Sequence, residues 1–180
     1  MDNLQPVIFL IPVIALILVT IFYAILLKKS SDKMFFKQFV LIMILLSLLL
    51  NFAWEVIQAP LYNSFTFSLS HIAFCGLASV ADALMVMLIY FFLAIIYKNP
   101  LWIMHINFQR ILTLVLIGGV GAILSEMRHL SIGTWSYTLS MPTLPFVHVG
   151  LSPVLQFILL PGLIFYLSLL ICKNKLKRLI

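Results

Sequence analysis

The sequence predicts an all-α, polytopic membrane helix bundle of five transmembrane helices, with the N-terminus out and the C-terminus in. Three observations carry this. The 180 residues are 64% hydrophobic and only 9% charged, whereas a soluble domain has about a quarter of its residues charged. The apolar residues fall into five runs near the roughly 20 residues that a spanning helix needs. The basic residues flank those runs and divide ten to one between the two sides.

Val7 to Leu27 supplies the first span, with Thr20 as its strongly polar side chain. The preceding MDNLQP has no Lys or Arg, and no small-residue cleavage site follows. A retained span is therefore expected, rather than a signal peptide. Phe39 to Gln58 is the second span, closed by Pro60. His71 to Tyr97 is the third, long enough to tilt or to begin among the headgroups. Ile111 to Met127 is the fourth and shortest. Leu151 to Cys172 is the fifth, with Pro161-Gly162 expected to bend it or loosen its hydrogen bonding. Residues 1–180 thus read as a single integral membrane domain.

Lys28, Lys29, Lys33, Lys37, Lys98, Arg110, Lys173, Lys175, Lys177 and Arg178 fall on one side of a five-span chain, and Arg128 on the other. Basic loops stay in the cytoplasm, which sets the orientation. Between the third and fourth spans, Leu101-Trp102-Ile103-Met104 with Ile106 and Phe108 is apolar but too short to cross. It is expected in the cytoplasmic interface, with Trp102 at headgroup level.

The net charge of +6 does not point to nucleic acid, because the charges sit at helix ends, where they meet membrane lipids. Cys75 and Cys172 lie near opposite faces and cannot reach disulfide distance. No nucleotide, phosphate or haem motif is present, so no cofactor is expected. A homo-oligomer is left open.

The polar residues inside the spans are few and ordered. Asn51, Glu55 and Gln58 are spaced i, i+4, i+7, one stripe of a helix. His71, Cys75 and Asp82 form a second stripe on the third span. Asp82 lies roughly 16 Å below His71 at the helical rise of about 1.5 Å per residue, near the midplane. Glu126 and His129 are i, i+3 on the fourth span, beside Ser125 and Arg128. The fifth adds Ser152 and Gln156. All but Asp82 lie in the outer half or at its edge. Each stripe would be costly against lipid and tolerable against the others, so one shared cavity is the economical arrangement. Gly118, Gly119 and Gly121 would let the fourth helix approach closely.

The outer loop from Arg128 to Gly150 carries two prolines, Trp135, Tyr137, His129 and His148. It reads either as a lid over the cavity or as an aromatic belt at the interface.

Glu55 and Asp82 are the leading catalytic candidates, since ionisable groups inside a membrane mark function by default. The plainer alternative is a helix tie, neutralised by a partner. Glu126 suits a salt bridge to Arg128 equally well. His71, His129 and His148 are ordinary interfacial histidines unless a ligand claims them, and His105 falls on the other side. These residue types suit zinc or iron, but there is no HExxH or repeated ExxH, and no metal is expected.

The segments NFAWEVIQAPLY (Asn51 to Tyr62) and SEMRHLSIGTWSYTLSMPTLPFVHVGLSPVLQF (Ser125 to Phe157) resemble a family of small bacterial inner-membrane proteins with W-E-x-x-Q-x-P-L-Y, S-E, W-x-Y, M-P-x-x-P and G-L-S-P-x-x-Q motifs. The resemblance covers three of five spans. It implies a multi-pass inner-membrane protein and brings no activity with it. More remotely, an acid followed by G-x-W-x-Y and a proline-bearing outer loop is similar to membrane enzymes that hydrate or cyclise carotenoid ends. Their own acidic motifs are not reproduced here.

The expected function is acid–base chemistry on a lipophilic small molecule, a lipid or isoprenoid. A protonated carboxyl in an apolar site can donate to an alkene, epoxide or ester. Asp82 is the expected acid and Glu55 or His71 the base or orienting group, with Glu126 alongside. Asn51, Trp54, Gln58, Cys75, Arg128, His129, Trp135, Tyr137, His148 and Gln156 would line the substrate site. The alternatives are a proton-coupled carrier and a structural or assembly protein.

Overall fold

A computed structural model of the chain describes residues 10–63 and 65–177, with side chains through Asn174. Among these residues there are five α-helices and no strand: α1 Leu10–Lys29, α2 Lys33–Gln58, α3 Leu69–Ile96, α4 Phe108–Ser131 and α5 Leu151–Lys177. All five are long and apolar enough to cross a membrane. The chain is an all-α, multi-pass membrane helix bundle. Val7 to Phe9 of the expected first span lie outside the described residues, as do Arg178 and the side chains of Lys175 and Lys177.

Helix starts are set by caps that the apolar runs do not reveal. Asp32 accepts from Phe35 N and starts α2 six residues before the expected Phe39, so Lys33 and Lys37 ride on the helix rather than in a loop. Ser68 and Asn107 cap α3 and α4 in the same way, through His71 N and Arg110 N. The fourth helix is consequently 24 residues long, and seven longer than the run Ile111 to Met127.

α2 packs on α3 and α5, α4 on α5, and α1 on α3. The outward faces are apolar: Leu41, Leu45 and Leu49 form an exposed row on α2, while Met43, Ser47 and Asn51 on the opposite face are fully buried. This polarity suits lipid as the solvent.

The α4–α5 contact is built around one carbonyl. Pro161 lies inside α5 and has no N–H, so Phe157 O lacks its helical donor. Gly118 of α4 is pressed against that oxygen. A Cβ at Gly118 would stand 2.1 Å from Phe157 O. The glycine therefore presents hydrogen where any other residue presents carbon, and the freed carbonyl meets a Cα–H. The helix continues through Pro161 without a break.

The end of the bundle that carries Lys29 and Lys98, called here the basic end, is a dry aromatic core. Phe36, Phe39, Tyr90, Phe91, Trp102 and Phe165 are all fully buried. Tyr90 is the hub, with ring centroids 5.0 Å from Phe39, 5.6 Å from Trp102 and 5.0 Å from Phe165. Trp102 is not a side chain open to its surroundings but is 0% exposed, with Nε1 donating to Tyr90 O at 3.2 Å. The 3-10 turn Trp102–His105 tucks under the bundle because the large indole fills space between α3 and α5 and its single N–H finds a backbone acceptor there. Arg110 fixes that turn, donating to Trp102 O and His105 O and lying 4.7 Å over the Tyr97 ring.

Candidate functional site

At the other end, the polar end, α2 terminates in the 3-10 turn Ala59–Leu61 that contains Pro60, while α3 and α5 start. Here the stripes from three helices meet in one hydrogen-bonded network. Ser152 Oγ donates to Gln58 Oε1 at 2.9 Å. Gln58 Nε2 donates to Glu55 Oε1 at 2.6 Å and to Gln156 Oε1 at 3.2 Å. Gln156 Nε2 donates to Asn51 Oδ1 and to Asp82 Oδ2, both at 2.9 Å. Asn51 Nδ2 reaches back to Ser47 O at 2.8 Å. The Glu55 and Asp82 carboxyls are themselves in side-chain hydrogen-bonding contact.

The amides are consistently oriented. Gln58 and Gln156 each aim both N–H groups at oxygens, and each carbonyl oxygen receives a donor. One oxygen of Glu55 and one of Asp82 are thereby fixed as acceptors. The contact between the two carboxyls needs a proton, because a pair of carboxylates has no donor to offer. The arrangement is a carboxyl pair braced by two glutamines and an asparagine and set inside a helix bundle.

A second group lies beside it. Glu126 Oε2 accepts from Trp135 Nε1 at 3.2 Å and from the Tyr137 hydroxyl. Tyr137 Oη in turn accepts from Gly150 N at 3.0 Å. A Cβ at Gly150 would stand 3.0 Å from the Tyr137 ring, so glycine is what lets the phenol seat there. Trp135 is stacked on His129, centroids 4.1 Å apart, and meets Tyr62 edge-on. Tyr62 also packs edge-on against Tyr137 and lies in electrostatic reach of Glu126, Glu55 and Asp82. It links the two groups. The Tyr62 phenol is held well above its ordinary ionisation range, first by burial and then by those carboxyls. Tyr137 is raised too, by burial and by its bond to Glu126. Both remain O–H donors.

The loop that carries these aromatics folds back over the polar end. Asn63 N bonds Ser136 O at 2.9 Å, Thr138 N bonds Leu61 O at 2.9 Å, and Asn63 Nδ2 holds Tyr137 O at 2.8 Å. Its tips remain outward: Leu139 and Phe146 are among the most exposed residues.

Of the residues singled out in the sequence, Asn51, Glu55, Gln58, Asp82 and Gln156 are brought into one network. Glu126, Trp135, Tyr137 and His129 form the adjoining group. Cys75 is buried within electrostatic reach of Glu55. Four others stand apart. His71 Nδ1 bonds the hydroxyls of Thr66 and Ser68 at the start of α3, away from the carboxyls. Trp54 packs against the apolar core, its Nε1 buried without a partner. Arg128 and His148 are exposed. Glu126 takes its donors from Trp135 and Tyr137. Among the described residues, no group of three or more His, Cys, Asp or Glu is placed to hold a metal ion.

Ser152 of the α5 stripe joins the network through Gln58, and Tyr62 completes the site beyond the sequence-based list. Tyr62 had a signal: it continues the stripe Asn51, Glu55, Gln58 at i+11, past the proline that closes the span. Neither family models, curated proteins nor solved structures give a match to this chain.

Proposed function

We propose that the polar end is a one-sided acid–base site that acts on a lipophilic molecule entering from the bilayer. The observation that carries this is the Glu55–Asp82 carboxyl pair, hydrogen-bonded inside the bundle and braced by amides. Asp82 is the acid, donating the shared proton to an alkene, epoxide or ester of a lipid or isoprenoid. Glu55 is the base, removing a different proton, from the carbon next to the cationic centre or from the water that attacks it, so the pair regains the proton it gave; Gln58 and Gln156 hold both carboxyls in line. Tyr62, as a neutral phenol, supplies a further donor toward the substrate, while Tyr137 spends its O–H on Glu126.

A proton-coupled carrier would use the same pair but needs a path to both faces. The packed aromatics of the basic end stand against such a path, which favours the enzyme. The location fitting this reading is the inner membrane of a bacterium, with the polar end outward. Reporter fusions at the C-terminus and near Lys33 should both read cytoplasmic.

The test of function replaces Asp82 by Asn and Glu55 by Gln, one at a time. Amides keep the shape but cannot pass the proton. Each variant should fold, and the cellular profile of lipids and isoprenoids should change. An unchanged profile with altered proton flux would support the carrier. Folded variants with wild-type lipids and flux would leave the network as a helix tie.

A further inference from the structure

The basic end carries a feature that the acid–base site does not use. A groove of about 350 Å³ opens where the end of α1 meets the turn after α3, and Lys29, Ser31, Lys98, Asn99, Leu101 and Met104 line it. Its two lysines come from separate parts of the chain, Lys29 at the end of α1 and Lys98 in the turn after α3, and none of the lining residues is acidic. The nearest acid in sequence, Asp32, has its carboxylate engaged in capping α2 through Phe35 N.

The groove is held by backbone structure. Ser30 N bonds Leu26 O, and Lys98 and Asn99 close α3 through Ile95 O and Ala94 O. Lys98 is fixed in the left-handed region at φ 51, an uncommon conformation for a lysine. The turn on the far wall is clamped by Arg110. Asn99 uses its side-chain oxygen on Leu101 N, which leaves its NH2 as the donor.

We propose that this groove binds the headgroup phosphate of an anionic phospholipid. Lys29 and Lys98 approach the phosphate from two sides, and Ser31 and Asn99 donate hydrogen bonds to its oxygens. Leu101 and Met104 lie against the apolar part of the same lipid. Two ammonium groups on a polar ledge, at the end of membrane-spanning helices, match an anionic lipid in charge and in depth. This inference is independent of the carboxyl pair.

The test uses the purified full chain in detergent, with phosphatidylglycerol, phosphatidylcholine or glycerol phosphate added, and reads bound lipid by native mass spectrometry together with the shift in Tm. The wild type should retain one phosphatidylglycerol in preference to phosphatidylcholine, with a raised Tm. Replacing Lys29 and Lys98 together by Gln should weaken that retention by about tenfold to thirtyfold. Lys33→Gln with Lys37→Gln, which removes the same charge from exposed sites nearby, should leave it intact. Equal loss in both pairs, retention without preference between the lipids, or displacement by glycerol phosphate at equal concentration would each overturn the proposal.

Discussion

The two ends of the bundle are built from the same helices and solve the same burial problem in opposite ways. At the basic end α2, α3 and α5 meet through Phe39, Tyr90 and Phe165, whose contacts are numerous, weak and replaceable. At the polar end the same three helices meet through Gln58, Asp82 and Gln156, whose contacts are few and directional. Apolar packing tolerates a change of shape. A polar network that loses one member leaves the others unsatisfied in a medium that offers no water. The comparison teaches where specificity resides: the basic end seals the bundle, and the polar end determines which groups face each other.

Substituting one residue at each end gives the widest separation between them. Gln156→Leu removes the partner of Asn51, Asp82 and Gln58 at once. At about 1–3 kcal/mol per orphaned group, with partial relaxation, it should cost about 4 kcal/mol. Phe165→Leu at the basic end should cost only about 1–2 kcal/mol. Unfolding in detergent measures both, and equal losses would erase the distinction drawn here.

The seam between α4 and α5 should respond next most strongly. Gly118→Ala places a methyl against Phe157 O and should cost about 3 kcal/mol. Gly121→Ala, on the same helix with nothing within 4 Å, should be neutral or slightly stabilising. The pair of variants separates close approach from helix propensity.

A smaller effect is expected beside the carboxyl pair. Tyr137→Phe removes a donor from Glu126 and an acceptor from Gly150 N, and should cost about 2 kcal/mol. The smallest appears only at alkaline pH. Tyr62 and Tyr137 hold their protons more tightly folded than unfolded, so their contribution is complete below the ordinary phenol value of about 10 and is lost as pH rises above it. Stability should therefore fall above about pH 10, and Tyr62→Phe should flatten the fall.

The spans were legible because a membrane helix must be apolar over its length. The stripes were legible because Asn51, Glu55 and Gln58 share a face by spacing alone. The caps were not: Asp32 looked like a loop acid until Phe35 N was seen to donate to it. His71 shares the stripe of Asp82 but turns to Ser68 and Thr66, because hydroxyls at its own helix start are nearer than the carboxyls three turns below. Trp102 looked interfacial because tryptophan usually is. Its burial comes from contacts with Tyr90 of α3 and Phe165 of α5, which no local pattern encodes.

The central claim is that Glu55 and Asp82 share a proton inside the bundle. Infrared spectroscopy of the purified protein at neutral pH tests it through the carbonyl stretch of a protonated carboxyl. The wild type should show such a band, and Asp82→Asn and Glu55→Gln should each remove or shift it, while Glu126→Gln leaves it in place. A spectrum with only ionised carboxylates, or a band indifferent to both substitutions, would contradict the account.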